Sequence, residues 1–436
     1  MSAFEFNGMD IARQAVAELK AAGADKATAS LSRGEQHELN VDAGKMSLYR
    51  TTVNVSLGLT AHVDMRKGSV SLNKYDAESI RQAAAEAVSM ARSSEPDPAN
   101  DISPARPLEV FSFGTTEPDS PAMYSRLREF IDYASSRYPL IKLEQCILNF
   151  GSGNSFYANS NGAEFQNQDG VYDFSAMFTS KDGANASSFN YSGASHRKLD
   201  LPLKDWGHVD ELMQQSVEQT DPSSVEGSFT GDILITPDCL GSFLGALDNT
   251  YMGDYAMITG NSPWKDKLNQ PVVSPLFTLR SQPNGPVVET GYPYTGDGFR
   301  AENCTLIEGG VLRNFTLGLY GSNKTGKARC PSGGGAPVVE AGDTALADLI
   351  KQVKKGVLLA RFSGGNPSDN GDFSGVAKNS YLIEDGKIVR PITETMVAGN
   401  IGAIFSAIKG ISRERINYGS ECYPWVLTSG VSISGK

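Results

Sequence analysis

Ile141-Lys-Leu-Glu-Gln-Cys-Ile-Leu-Asn-Phe150, Ser155-Phe-Tyr-Ala-Asn-Ser160, Ala163-Glu-Phe-Gln-Asn-Gln168, Val171-Tyr-Asp-Phe-Ser-Ala-Met-Phe-Thr-Ser180 and Ala186-Ser-Ser-Phe-Asn-Tyr191 follow one another in segments rich in strand-forming residues. Gly151-Ser-Gly153, Asn161-Gly162, Asp169-Gly170 and Asp182-Gly183 separate them. Such dipeptides take the left-handed backbone of tight hairpin turns, so the spacing predicts a meander of short antiparallel strands. A helix precedes it: Ser120-Pro121 reads as a cap and first-turn proline, with Met123, Leu127, Phe130, Ile131 and Ala134 on one stripe. Helix and antiparallel meander together predict an α+β protein.

Further towards the N-terminus, Asp10 is a candidate cap for a helix carrying Ile11, Ala15, Val16 and Leu19, with Gly23 suited to end it. Short strands follow from Thr28 to Asn73, turning at Asp42-Ala-Gly44 and at Asp64-Met-Arg-Lys-Gly68. A second helix is predicted over 76–92, facing inward with Ile80, Ala84, Ala87, Val88 and Ala91. Pro96, Pro98, Pro104 and Pro107 then mark residues 93–107 as an extended, exposed linker.

In the other direction, a helix is predicted over 205–219 and a buried strand at Asp232-Ile-Leu-Ile-Thr236, with a helix from Pro237 to Leu247. Hairpins are predicted at Gly309-Gly310 and Asp385-Gly386, with helices over 344–354 and 400–409. The expected organisation is an N-terminal α/β domain with mainly antiparallel strands, 1–220, followed by a strand-rich C-terminal domain, 221–436. The 45 glycines, about a tenth of the chain, call for many tight turns or close backbone approaches.

Composition narrows the function. With 39 Lys+Arg against 50 Asp+Glu the net charge is −11, which repels a phosphate backbone, and no basic run reverses it locally, so nucleic acid is not expected as a partner. No stretch approaches the roughly 18 apolar residues of a membrane span. The opening Met1–Asp10 lacks the basic and apolar regions of a secretory signal, so a cytoplasmic location is expected. Cys146, Cys239, Cys304, Cys330 and Cys422 are odd in number and never CxxC, consistent with a reducing compartment.

Chemical motifs are sparse. Gly321-Ser-Asn-Lys-Thr-Gly326-Lys327 matches a phosphate-binding loop until Ala328, where a Mg²⁺-binding hydroxyl is required, and reads instead as a flexible basic loop. His37, His62, His196 and His208 never pair at metal-ligand spacing. No GxSxG elbow supports a nucleophilic serine. Cys422, in Ser420-Glu-Cys-Tyr-Pro-Trp425, is either a thiolate for zinc or acyl chemistry or a small buried residue. Asp372 lies among Gly364-Gly365-Asn366-Pro367 and Asn370-Gly371; the turn N–H groups there suit gripping a peptide or anion, with an Asx turn as the alternative.

Three stretches carry a resemblance over nearly the whole chain: 57–73, running Leu57-Gly-Leu-Thr-Ala-His62; 298–312, running Gly298-Phe-Arg-Ala-Glu-Asn-Cys304; and 371–391, running Gly371-Asp-Phe-Ser-Gly-Val-Ala-Lys378 and followed by Ala398-Gly-Asn400. The chain resembles the TldD/PmbA family, whose older name is modulator of DNA gyrase. The resemblance implies a family with two halves, a zinc protease and a non-catalytic TldE or PmbA subunit, which pair to degrade or trim peptides and peptide precursors. It also implies that HExxxH, on a helix after a strand, and a cysteine near the C-terminus form the protease half's zinc site. Matching that strand to Ile233-Leu-Ile-Thr-Pro237 sets Gly245 and Ala246 at the first histidine and the glutamate, and Thr250 at the second histidine. These residues supply neither imidazole nor carboxylate, so no metal site and no catalytic residue are expected here, and zinc is expected in the partner.

Asp372, Phe373, Ser374 and Asn400 stand as candidate substrate-binding residues. The expected partner is an HExxxH-bearing TldD-like subunit. The alternative is a homodimeric, non-proteolytic peptide-binding protein.

Overall fold

The first helix, α1 (Gly8–Ala21), is capped by Asn7, whose side-chain oxygen accepts from the Asp10 N–H; Asp10 lies one turn inside, where its charge suits the helix N-terminus, and is not the cap. Two long strands follow, β1 (Lys26–Asp42) and β2 (Lys45–Val63), then β3 (Arg66–Leu72). Both hairpin turns fall where the sequence places them. Ala43 and Gly44 have φ of 48° and 75°, and Asp64 and Met65 of 49° and 63°, so each turn has two successive left-handed residues. Helix α2 (Ala77–Ser93) is capped by Asp76, which accepts from the Ser79 N–H, and buries Ile80, Ala84, Ala87, Val88 and Ala91. The computed structural model describes residues 7–435; residues 1–6, at the start of the segment read for a secretory signal, lie outside them.

The central meander has fewer and longer strands than predicted. After β4 (Arg106–Phe113) and α3 (Ser120–Arg137), capped by Asp119 rather than Ser120, β5 runs unbroken over Ile141–Asn159 and β6 over Ala163–Asp182. The Asn161-Gly162 turn joins them. The turn expected at Gly151-Ser-Gly153 is absent because ladders on both sides hold those residues extended: Gly151 pairs with Gln36 and Val171, and Gly153 with Gly34 and Asp169. The turn expected at Asp169-Gly170 is absent for another reason. A Cβ on Gly170 would lie 1.7 Å from the Thr115 carbonyl oxygen, so this glycine admits a crossing chain inside a strand.

β7 (Asn185–Ala186) and β8 (Asn190–His196) complete an eight-stranded sheet ordered β3-β2-β1-β5-β6-β4, with β7 and β8 also on β6. One end of the long strands packs against α1 and α2 through Ala29, Leu31, Leu57, Leu59 and Phe156. The other end packs against α3 and α4 (Val209–Glu218) through Val41, Leu148, Phe150, Phe174 and Trp206. The helix predicted over 205–219 starts late because Gly207, at φ 58°, breaks it behind buried Trp206. Residues 93–107 are extended but not wholly exposed. Ile102 and Ser103 are buried, and Asn159 Nδ2 donates to both the carbonyl and the hydroxyl of Ser103 at 2.9 Å.

The second sheet has 14 strands. Short β9 (Ser223–Ser224) precedes β10 (Ser228–Ile235), α5 (Pro237–Leu247), α6 (Asp254–Ile258) and β11 (Leu279–Ser281). Next come β12 (Cys304–Glu308), β13 (Val311–Leu312), α7 (Leu319–Thr325), β14 (Pro337–Val339) and α8 (Leu346–Lys351). Then follow β15 (Lys355–Leu359), β16 (Arg361–Gly364), β17 (Asp372–Lys378), β18 (Ser380–Glu384) and β19 (Lys387–Thr393). The described elements end with β20 (Thr395–Asn400), α9 (Ile401–Ser406), β21 (Ile408–Asn417) and β22 (Cys422–Ser434). The main path is β13-β12-β11-β14-β22-β10-β15-β18-β19-β9. A branch leaves β22 through β20 and β17 to β16, and β21 also pairs with β22. The molecule is α+β, and no helix among the described residues is long and apolar enough to cross a membrane.

The phosphate-loop-like stretch is not a flexible loop. It forms α7 and ends in Gly326, left-handed at φ 67° as a helix C-cap requires. Its lysines are engaged: Lys327 lies over the Phe315 ring, and Lys324 Nζ is 2.8 Å from Asp97, which also accepts from the Tyr320 hydroxyl at 2.8 Å. These contacts tie residues 93–107 to α7. They hold the Asp97 carboxyl at about 2, below 3.8, with the Lys324 hydrogen bond the largest cause and the Ala99 N–H next. A depressed carboxylate contributes stability above its unfolded value and loses it as pH falls through the folded one. Urea midpoints measured from pH 5 to 2 are therefore expected to fall more steeply for the parent than for Asp97→Asn between 3.8 and about 2. Parallel curves would show the contact contributes nothing.

Candidate functional site

Helix α5 starts at Pro237, whose missing N–H costs nothing in a first turn, and is continued by a π-helical turn over Asp248–Met252. In a regular α-helix, five residues make about 1.4 turns, so side chains at i and i+5 diverge. An i→i+5 turn, frequent at functional sites, brings such positions closer to one side. Gly245 and Thr250, five apart, both line a cavity of about 540 Å³ beside this helix, together with Ala246, Phe243 and Asn249. Its opposite wall is Phe362 and Gly364 of β16, residues 365–369, and Phe373 of β17. The rings of Phe243, Phe362 and Phe373 pack at centroid distances of 5.4–5.7 Å, which closes the apolar end.

The four candidate binding residues divide. Phe373 is buried and lines the cavity. Ser374, the next residue of the same strand, is exposed and points to the other face, as strand alternation requires. Asp372 and Asn400 are register partners on β17 and β20, and Asn400 Nδ2 donates to Asp372 Oδ1 at 2.9 Å. Asn370 Nδ2 donates to the other carboxylate oxygen at 2.9 Å, and these two bonds, Asn400's first, lower the Asp372 pKa. Asn400 also caps α9, accepting from the Ala403 N–H at 3.2 Å. Gly371 completes the anchor: φ is 90°, and a Cβ there would lie 2.5 Å from the Tyr251 hydroxyl. Asp372 and Asn400 thus fix the end of the 364–371 segment, and the segment's own residues, Gly364 through Asp369, face the cavity.

The lining is chemically quiet. Ser242, Asn249, Thr250, Tyr255, Asn261, Asn366 and Ser368 offer neutral donors and acceptors; Asp369 is the carboxylate, and no imidazole, ammonium or guanidinium is among the lining residues. Asn261 Nδ2 reaches Asp369 Oδ2 at 3.4 Å. No imidazole or amine stands beside either serine, and the Ser368 hydroxyl donates to Asn370 Oδ1 and the Asp372 carbonyl.

Zinc is tested by the same donor set. Gly245 and Ala246 carry no ligand atoms, and among the described residues no three His, Cys, Asp or Glu side chains converge. Cys422 is buried among Val288, Ala336 and Val338, and burial pushes its thiol pKa up, the reverse of what a metal thiolate needs. These residues do not fit the ion.

A second cavity, about 390 Å³, lies farther along α5 where the two sheets meet. Asp238 and Gly241 line it, and with Ser242, Gly245 and Asn249 they fall at i, i+3, i+4, i+7 and i+11 on one helix face, so both cavities share that face. Asp238 Oδ2 is 2.7 Å from His208 Nδ1, linking α5 to the start of α4. Arg361 of β16 lines this cavity with its guanidinium carbon 3.4 Å from the centroid of the Tyr191 ring. Burial raises the Glu421 carboxyl pKa, opposed by a 2.9 Å bond from the Tyr423 hydroxyl.

Gly245, Ala246 and Thr250, the positions the family resemblance matched to HExxxH, all line the first cavity, whereas the second cavity and Arg361 carry no motif in the sequence. Glycine clustering at 364–367 was the one legible signal for that wall. Among the described residues β16 pairs with no strand other than β17, and its Phe362 N–H reaches the Cys239 sulfur of α5.

Residues 228–435 match the family model described as the PmbA/TldA metallopeptidase C-terminal domain, and residues 27–91 match PmbA/TldA metallopeptidase domain 1. The fold is therefore of a metallopeptidase-related α+β class. The chain belongs to the PmbA/TldD family. It is 20% identical to the metalloprotease PmbA of Escherichia coli O157:H7, over 95% of this chain and 94% of that protein. A metalloprotease of Methanothermobacter thermautotrophicus is 28% identical over 42% of this chain and 43% of its own length. The fold is similar to that of TldE from Thermococcus kodakarensis, with a TM-score of 0.82 at 18% identity, covering 98% of this chain and all of that one.

Proposed function

We propose that this chain is a PmbA/TldE-like, non-catalytic subunit that holds unfolded peptide for a separate, zinc-bearing HExxxH subunit of TldD type, the pair degrading or trimming peptides and peptide precursors. The groove along α5 carries this reading. It has room for a peptide segment, is lined by neutral hydrogen-bonding groups, and is bare of ligating atoms at Gly245 and Ala246. β16, which lies beside it and pairs with no strand but β17 among the described residues, suits strand addition, in which main-chain hydrogen bonds hold a peptide with little demand on its sequence.

Coexpression with an HExxxH paralogue tests the proposal. Expected results are copurification, and cleavage of an unfolded peptide by the pair alone, abolished by a chelator. Stoichiometric zinc and cleavage by this chain on its own would overturn it. So would a self-dimer that binds peptide and does not change in size or activity when the paralogue is added.

A further inference from the structure

Two of the five cysteines, 26 residues apart, meet in the folded chain. Cys304 opens β12, held against Ser281 of β11, and Cys330 lies in the turn after α7, where its N–H donates to the Leu317 carbonyl at 2.8 Å. Their sulfurs are 3.7 Å apart, and the Ser332 hydroxyl lies 3.3 Å from one and 3.2 Å from the other. Closing to a disulfide bond of about 2.05 Å needs less than 2 Å of movement. Cys330 is fully buried and Cys304 half-buried, so the pair has a reachable member. Hydrogen bonding from the Cys304 thiol, then from the Ser332 hydroxyl and the Ser332 and Gly333 N–H groups, lowers the Cys330 pKa, and the same bond with Cys330 raises that of Cys304, so Cys330 is the more acidic of the two. Cys146, Cys239 and Cys422 are buried apart from this pair, and burial pushes each of their thiols up.

We propose that Cys304 and Cys330 are a reversible oxidation site that closes to a disulfide with a peroxide as oxidant. The Cys330 thiolate takes the proton of Cys304, the reachable sulfur, as that sulfur attacks one peroxide oxygen; the O–O bond breaks, hydroxide leaves and Cys304 becomes a sulfenic acid. Cys330 then attacks that sulfur, its proton leaves with the displaced hydroxyl as water, and the S–S bond forms. Two electrons pass from the sulfurs to the peroxide, and a dithiol reductant reverses the change.

The test is peroxide titration of the full chain, followed by intact mass and a non-reducing peptide map. Expected results are a loss of about 2 Da, a fall in free thiols from five to three, and peptides carrying Cys304 and Cys330 joined until a dithiol is added. The Cys146→Ser/Cys239→Ser/Cys422→Ser variant is expected to lose the same mass, and Cys330→Ser to lose none. Five thiols unchanged, a bridge through any other cysteine, or a gain of about 32 Da on Cys304 without a bridge would overturn the proposal. The wild-type map decides the matter even where a serine variant does not fold.

Discussion

Gly245→Trp is expected to weaken peptide binding by more than tenfold while leaving the fold intact. A Cβ at Gly245 meets nothing within 4 Å, and the residue faces the 540 Å³ cavity, so an indole enters the groove without displacing protein atoms. The backbone does not need this glycine. It sits inside a helix, where glycine is less stable than alanine by about 0.5–1 kcal/mol. Gly245→Ala therefore makes the control: it should gain stability of that order and bind as the parent does. Fluorescence polarisation with a labelled unfolded peptide, paired with thermal melts, reads both effects. Parental affinity in Gly245→Trp would place the peptide elsewhere.

Trp206→Ala is expected to cost about 3–5 kcal/mol in stability, the range for removing a large aromatic from a filled core. Trp206 is fully buried. Its ring meets His196 edge-on at 4.6 Å and Phe174 at 6.3 Å, and its Nε1–H donates to the Leu201 carbonyl at 3.3 Å. Truncation leaves a cavity between α4 and the first sheet and orphans that carbonyl. Urea unfolding followed by far-UV circular dichroism measures the loss. A change below about 1 kcal/mol would mean that the site collapses around the gap.

Local chemistry was legible wherever it also decided the outcome. Asn161-Gly162, Asp182-Gly183, Gly309-Gly310 and Asp385-Gly386 all turn, because each lies between strands that pair with each other. Gly151-Ser-Gly153 and Asp169-Gly170 have the same composition and stay extended. At the first, partners on both sides outweigh local preference; at the second, the glycine makes room for Thr115. Neither cause is local, so neither shows in a window of sequence. Gly321 was misread in the same way: it brings α7 against Asp254, with a would-be Cβ 1.9 Å from the carboxylate. At the site, glycine clustering and Phe373 pointed to one wall. The other wall is a helix face, whose Gly245, Ala246 and Thr250 the resemblance had marked only as positions bare of zinc ligands; that they line a groove shows only once β16 stands opposite.

The last strand in chain order, β22, is also a hub: it pairs with β10, β14, β20 and β21. The first sheet draws all its strands from residues 26–196 and is complete long before that strand has been made. During synthesis the N-terminal half can fold behind the advancing ribosome, while the later strands can form only the separate ladders β13-β12-β11-β14, β10-β15-β18-β19-β9 and β16-β17-β20 until β22 joins them. Closure of the second sheet is a late, long-range event, slow for its contact order. In that interval the edges of β10, β14 and β20 that β22 will cover stand exposed, a template for pairing with the wrong chain.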